Sequence, residues 1–145
     1  MNRMEMHFDA RIENEAFART VAASFIAPLN PTMDELIEVK TIISEAVANA
    51  IIHGYNGQSE GQVYLRLETL DHELHIEVED YGVGIQDINQ ACQPLYTTRQ
   101  DLERSGMGMT IMDSLSDQMQ IESIPEQGTK LVISKRFKHG SDSQA

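Results

Sequence analysis

The stretch SEAVANAIIHG, residues 44–54, carries Glu45, Asn49 and His53 at four-residue spacing. Side chains four residues apart lie one above the other on a helix, so the three share one ridge of a predicted helix. Asparagine stabilises a helix interior poorly, and its carboxamide oxygen is a suitable ligand for Mg²⁺. A carboxylate one turn earlier is well placed to act as a general base. The ridge therefore predicts a metal ligand at Asn49 and a catalytic base at Glu45, whereas the dipole at the helix end explains His53 equally well.

Two glycine motifs follow the ridge along the chain. Asp80-x-Gly82-x-Gly84 comes at the end of a predicted strand, where glycines let the backbone turn sharply and approach a ligand. Gly106-Met107-Gly108-Met109 opens a predicted helix, whose free N–H groups and positive dipole end suit an anion. Taken singly, each motif has an ordinary structural explanation, and Glu45 and Asn49 are also compatible with a solvated helix face. The ordered set within about 65 residues predicts a nucleotide site.

The carboxylate of Asp80 predicts which base this site prefers. A carboxylate beside an apolar strand is costly unless it is paired, and the exocyclic amine of adenine would donate a hydrogen bond to it. Guanine presents a carbonyl at that position, so the site should select adenine. Thr129, at the start of the last predicted strand, is expected to donate its hydroxyl near the adenine and Asp80. The alternatives are an aspartate that initiates a turn and an ordinary strand threonine.

The phosphates are expected to bind at the backbone amides from Gly106 to Met109, with Arg104 and Ser105 beside them. The glycine spacing excludes both the phosphate loop and the dinucleotide-binding motif. Local features must attract the phosphates, because the chain has a net charge of −12, with 23 acidic and 11 basic residues. So acidic a surface repels nucleic acid and anionic membranes, which excludes both as direct partners.

The chain has 145 residues, of which 41% are hydrophobic and 23% are charged. This length and composition favour a single domain with a sizeable core. No apolar run approaches the roughly 20 residues that span a bilayer, and no signal-peptide pattern is present, so a cytoplasmic location is expected. Cys92 is the only cysteine, which excludes an internal disulfide. We expect one nucleotide-binding domain over residues 1–137 and a polar, disordered tail over 138–145.

The periodicity of the chain predicts an α+β fold, a two-layer sandwich. Helical spacing of apolar residues covers 14–27, 32–54 and 106–115, and the second of these begins at the capping box Thr32-Met33-Asp34-Glu35. Alternating residues predict strands over 4–10, 63–67, 74–78, 118–124 and 129–137, and residues 86–105 predict a short helix and a mobile loop. We expect an antiparallel-rich, mixed sheet with the three helices on one face.

These motifs resemble the ATP-binding domain shared by gyrase, Hsp90, histidine kinases and MutL. The helix with Glu45 and Asn49 matches the first sequence box of that family, and Asp80-x-Gly82-x-Gly84 matches the second. Gly106-x-Gly108 matches the third box, and Gly128-Thr129 matches the final element. The resemblance covers most of the chain, from about residue 32 to residue 137, and implies a Bergerat-type fold that binds ATP or ADP with Mg²⁺.

Within that family, the chain resembles the anti-sigma factor kinases of spore-forming bacteria, on residues 4–29, residues 44–50 and the short segment before Gly106. The resemblance implies a homodimer that binds an RNA polymerase sigma factor of sporulation when ATP is present. It also implies that the protein phosphorylates a serine of an anti-anti-sigma factor. Arg19 on the first helix is a candidate partner contact, although a solvated helix face explains it as well. Two alternatives stay open: a related kinase of the general stress response, and an ATP-gated sequestering module without useful phosphate transfer.

Overall fold

The computed structural model describes residues 1–55, 60–84 and 108–138, which form one sheet and three helices. In chain order, the elements are β1 (Asn2–Asp9), α1 (Glu13–Ile26), α2 (Met33–Asn49), β2 (Gln62–Leu70), β3 (Glu73–Asp80), α3 (Gly108–Leu115), β4 (Gln118–Ile124) and β5 (Gly128–Arg136). A 3₁₀ turn lies between α1 and α2, and a π-helical turn, Ala50–Gly54, follows α2. The predicted α+β two-layer fold is confirmed.

The strands lie in the order β1-β2-β3-β5-β4, and every neighbouring pair among the described strands is antiparallel. The expectation of a mixed sheet is therefore wrong for this part of the chain. The segment that contains α3 carries the chain from β3 to the far edge of the sheet, so β3 and β4 run parallel without touching. A tight turn then returns β5 between them, and β5 pairs antiparallel with both.

The core lies between the sheet and the helices. Alternate strand residues point towards the helices and are buried, as the strand periodicity predicts. The fully buried large side chains are Ile26, Val39, Ile42, Ile43, Val47, Val63, Leu65, Leu67, Leu74, Ile76, Met112 and Ile133. The other face of the sheet is polar: Arg66 forms ion pairs with Glu5 at 2.8 Å, Glu79 at 2.9 Å and Glu77 at 3.4 Å.

The capping box at the start of α2 is present as predicted. The Thr32 hydroxyl accepts a hydrogen bond from the Glu35 backbone N–H at 3.0 Å, and the Glu35 carboxylate accepts one from the Thr32 N–H at 2.9 Å. At its other end α2 stops at Asn49, and the wider π-helical turn carries the backbone on to Gly54. Such turns occur mostly within or beside α-helices and often at functional sites.

Several predictions fall on residues outside the described ranges. The short helix and loop expected over 86–105 and the tail from 139 onwards are among them. Within the described ranges, no helix is long and apolar enough to cross a membrane.

Candidate functional site

From Thr41 to the end of the π-helical turn, the ridge is the part of the helix that stays partly exposed. Thr41, Glu45, Asn49 and, one turn beyond α2, His53 are partly exposed, whereas the residues between Glu45 and Asn49 are buried. Because the exposed positions recur every four residues, they form one line along the surface of the helix layer. The side chains that the sequence assigns as base and metal ligand therefore face the same space.

The first residue of α3, Gly108, lies against this ridge. A Cβ added to Gly108 would stand 2.9 Å from Oε1 of Glu45 and 3.3–3.4 Å from the carboxamide atoms of Asn49. Gly108 and Asn49, 59 residues apart in the chain, are thus brought together. The start of α3, where the helix dipole is positive, thus lies beside one carboxylate and one carboxamide.

Asp80 ends β3 and is only 5% exposed. Its Oδ1 accepts a hydrogen bond from the Gly82 backbone N–H at 2.9 Å. Burial raises the pKa of the Asp80 carboxyl to about 6, although the backbone N–H groups of Gly82 and Thr129 oppose the shift; nearby Glu79 adds to it. A carboxylate buried at this cost is a suitable acceptor for a ligand's hydrogen-bond donor.

Gly54, at the end of the π-helical turn, packs directly on Asp80. A Cβ on Gly54 would lie 2.7 Å from Cγ and from Oδ1 of Asp80, and the Gly54 carbonyl accepts a hydrogen bond from the Val83 N–H at 2.8 Å. A Cβ on Gly82 would overlap that same carbonyl. The Asp80–Gly84 motif therefore requires small residues on both sides of the contact.

The strand pair β4–β5 supports the motif from the other side. Gly84 has φ +76°, a left-handed conformation that favours glycine, and a Cβ there would overlap the carbonyl of Ile124. Thr129 lies opposite Asp80 in the β3–β5 register. Its hydroxyl lies 2.9 Å from Oγ of Ser123, so its hydrogen-bond partner in the structure belongs to β4.

The remaining predicted phosphate ligands fall at the boundary of the described chain. Arg104, Ser105, Gly106 and Met107 lie outside the described ranges. Met109 is described and packs, partly buried, against the core. For these five residues the assignment remains a prediction.

The residues present fit a magnesium ion that is shared with a nucleotide. In the described ranges no three His, Cys, Asp or Glu side chains gather into a cation site. Mg²⁺ usually keeps several waters and binds through one or two protein oxygens plus substrate phosphates, so a dedicated cage is unnecessary. The carboxamide of Asn49, which lies close to Gly108 at the start of α3, is a donor of the required kind.

A cleft between α1 and α2 leads towards Glu45. It has a volume of about 500 Å³ and is lined by Glu15, Arg19, Ile37, Lys40, Thr41, Ser44 and Glu45. Arg19 donates to Glu15 at 3.2 Å and to the Ser44 hydroxyl at 2.9 Å. The cleft therefore has basic groups beside the proposed base, in a protein whose net charge is strongly negative.

The sequence interpretation missed Gly54 and Tyr55 as site residues, because it ended the predicted helix at Gly54 and gave Tyr55 no role. The Tyr55 hydroxyl accepts a hydrogen bond from the Tyr81 N–H, inside the aspartate–glycine motif. Their position in the sequence could have indicated a role, since this glycine and this aromatic residue immediately follow the Glu45–His53 ridge.

Comparison with known proteins agrees with this fold. The sequence family "Histidine kinase-like ATPase domain" matches residues 8–135. The anti-sigma F factor of Bacillus subtilis (strain 168) is 51% identical over 144 residues, which cover 99% of this chain and 97% of that protein. The anti-sigma F factor of Geobacillus kaustophilus (strain HTA426) is 52% identical over 94% of this chain and 93% of its own length. That of Clostridium novyi (strain NT) is 47% identical over 94% of this chain and 96% of its own length.

Solved structures with low sequence identity show the same fold. The RsbU and RsbW domains of a Mycobacterium tuberculosis protein superpose with a TM-score of 0.68 at 18% identity, over 94% of this chain and 33% of that one. The catalytic domain of the histidine kinase ThkA superposes with a TM-score of 0.58 at 15% identity, over 94% of this chain and 97% of that one.

The chain belongs to the histidine kinase-like ATPase family, a class of nucleotide-binding domains, and within it to the anti-sigma F factors. The resemblance to sporulation anti-sigma kinases that the sequence motifs indicate is thereby confirmed.

Proposed function

We propose that this chain is an ATP-dependent anti-sigma factor that binds and inhibits the sporulation sigma factor F and phosphorylates a serine of the anti-anti-sigma antagonist. The observation that carries the proposal is the approach of Gly108 to Glu45 and Asn49. It supports a site in which the start of α3, a carboxamide and a carboxylate lie next to one another. The kinship with anti-sigma F factors supports the choice of partners.

In this proposal ATP lies between α2, the Asp80–Gly84 motif and the start of α3. The amine of adenine donates to Asp80, and the hydroxyl of Thr129 lies near the base. The phosphates bind the backbone amides at the start of α3, from Gly106 to Met109, with Arg104 and Ser105 adding positive charge and a hydroxyl. Adenine thus lies at one side of the π-helical turn and the γ-phosphate at the other.

Asn49 holds Mg²⁺ through its side-chain oxygen in this proposal, and the bound ion offsets the charge of the phosphates. Glu45, one helical turn away, accepts the proton of the attacking serine hydroxyl. A bond forms between the serine oxygen and the γ-phosphorus, and the bond from that phosphorus to the bridging oxygen of ADP breaks. The protein's contribution is mainly positioning and electrostatic stabilisation.

The cleft beside Glu45 is the proposed approach for the protein substrate, since its lining includes the proposed base and none of the residues proposed to bind the adenine or the phosphates. Lys40 and the Arg19–Glu15 ion pair line it, and Lys40 is the cation that would meet an acidic side chain of the partner. We further propose that the protein is a cytoplasmic homodimer with residues 1–137 as its ATP-binding domain, as in the kinases that it resembles.

The direct test is to incubate the protein with γ-labelled ATP, Mg²⁺ and the anti-anti-sigma factor encoded in the same genome. The expected result is label on one serine of that partner, and no label on a partner whose serine is replaced by alanine. Retention of sigma factor F should be stronger with ATP than without nucleotide. Nucleotide-dependent retention of sigma without transfer would instead support a sequestering module, and label retained on a histidine would contradict the serine-kinase proposal.

A further inference from the structure

Tyr55 joins three separate elements through one hydroxyl group. It follows the π-helical turn after α2, and its O–H donates to the backbone carbonyl of Gln62, at the start of β2, at 2.8 Å. The same oxygen accepts a hydrogen bond from the backbone N–H of Tyr81, just beyond β3, at 2.7 Å. Burial raises the pKa of the Tyr55 phenol above its ordinary value, which keeps the hydroxyl protonated and able to donate.

The N–H that Tyr55 binds belongs to the peptide unit between Asp80 and Tyr81. The carbonyl of the same peptide unit lies against Gly128, whose φ is +128° and whose added Cβ would overlap the carbonyl oxygen. The peptide unit is therefore held from two sides, by a hydrogen bond on its N–H and by close glycine packing on its C=O. The peptide unit can neither rotate nor shift without breaking one of these contacts.

The orientation of this peptide unit fixes the Asp80 side chain. Immediately beyond it, the Gly82 N–H donates to Oδ1 of Asp80 at 2.9 Å, so a change at the peptide moves the donor that orients the carboxylate. One residue further, the Val83 N–H donates to the carbonyl of Gly54, the residue before Tyr55. Gly54 and Tyr55 thus hold this segment through two hydrogen bonds, one from the Tyr81 N–H and one from the Val83 N–H.

We propose that Tyr55 is a positioning residue for base recognition, which sets the direction of the Asp80 carboxylate so that it accepts from an adenine amine and disfavours a guanine carbonyl. The inference rests on the proposed function, since it takes Asp80 as the group that contacts the base. Tyr55 acts through the backbone of residues 81–83.

The test compares wild type with Tyr55→Phe by titration calorimetry, using ATP and GTP in the presence of Mg²⁺. Loss of the hydroxyl leaves the Tyr81 N–H and the Gln62 carbonyl without this partner, so the backbone of residues 81–83 loses its fixed orientation. ATP affinity is expected to fall by about threefold to thirtyfold and GTP affinity by much less, so the ATP-to-GTP preference falls. Tyr64→Phe is the matched control, because it removes a hydroxyl from a tyrosine on the outer face of the sheet, whose ring contacts His7 and Tyr81.

A second variant, Gly61→Ala, displaces Tyr55 without removing its hydroxyl, since an added Cβ would overlap the Tyr55 ring. It is expected to lower the ATP-to-GTP preference in the same way, and it keeps the test decisive if the first variant folds poorly. An unchanged preference in these variants, even with a lower unfolding temperature, would overturn the inference and leave the proposed function standing. Wild-type protein that binds neither nucleotide would overturn both.

Discussion

Gly54 and Asp80 touch across the base of the candidate site: a Cβ on Gly54 would lie 2.7 Å from the carboxylate carbon of Asp80. The contact joins the end of the helix that carries Glu45 and Asn49 to the end of the strand that carries the proposed adenine acceptor. It fixes the distance between the two halves of the proposed pocket, one for phosphates and one for the base.

Gly54→Ala should disturb this contact strongly. The carboxylate cannot move away freely, because it is buried and bonded to the Gly82 N–H. We expect the free energy of unfolding to fall by about 1–3 kcal/mol and ATP affinity to fall at least tenfold, measured by urea unfolding and by the ATP-induced rise in melting temperature. An alanine variant with the wild-type ATP response would show that the contact does not shape the pocket.

Gly108→Ala should separate binding from stability. The added Cβ would meet the end of the Glu45 side chain, which can move, so the free energy of unfolding should change by less than about 0.5 kcal/mol. The same Cβ would occupy the space proposed for the phosphates, so ATP affinity should fall at least tenfold.

The control for Gly108→Ala is Ser114→Ala, in the exposed part of the same helix, where the hydroxyl donates to the Ile111 carbonyl at 2.8 Å. Its ATP affinity should match that of wild type. Equal ATP affinity in wild type and Gly108→Ala would place the phosphates elsewhere.

Asp80→Asn should change how stability depends on pH. Because the folded-state pKa of Asp80 is raised from 3.8 to about 6, its protonated form is favoured by folding. This contribution is fully present below about pH 3.8 and is lost as pH rises through about 6; it amounts to about 3 kcal/mol at most. Without nucleotide, the asparagine variant should therefore gain stability relative to wild type between pH 4 and pH 8, as measured by chemical unfolding across that range.

The same substitution should weaken ATP binding at pH 8, because the ionised carboxylate makes the stronger hydrogen bond to the adenine amine. ATP affinity of wild type should likewise decline as pH falls below about 6. If the free energy of unfolding of wild type and of Asp80→Asn changed with pH in the same way, the raised pKa of Asp80 would be contradicted. Identical ATP affinities of the two proteins would show that Asp80 does not contact the base.

Thr32→Ala should affect stability alone. The variant loses the side-chain acceptor of the capping box at the far end of α2, so the free energy of unfolding should fall by about 1 kcal/mol. Since Thr32 lies almost five turns from Asn49, ATP affinity of the folded protein should stay within about twofold of wild type, as measured by calorimetry. A large loss of affinity would mean that the site depends on the register of the whole helix.

The sequence predicted the elements and the ridge because both follow from local rules. The capping box fixed where α2 begins, and alternation fixed the strands, since each pattern depends only on neighbours along the chain. The sequence interpretation assigned Glu45, Asn49 and Gly108 to one nucleotide site, and the structure brings these three residues together; that they bind a nucleotide stays a prediction.

The sequence did not predict the features that depend on distant contacts. The π-helical turn that brings Gly54 to Asp80 leaves no periodic signal of its own, and neither does the double hydrogen bond of Tyr55. The insertion of β5 between β3 and β4 depends on where the connection through α3 ends, which no local pattern encodes. The pairing of the Thr129 hydroxyl with Ser123 follows from that same strand order.

The most direct test of the central claim is the effect of Glu45→Gln on two quantities, the rate of phosphate transfer to the anti-anti-sigma factor and the affinity for ATP. Glutamine keeps the size of the side chain and cannot accept the proton. The account predicts that the transfer rate at saturating ATP falls by about 100-fold or more, while the ATP affinity stays within about threefold of wild type. A glutamine variant that transfers phosphate at the wild-type rate would contradict it.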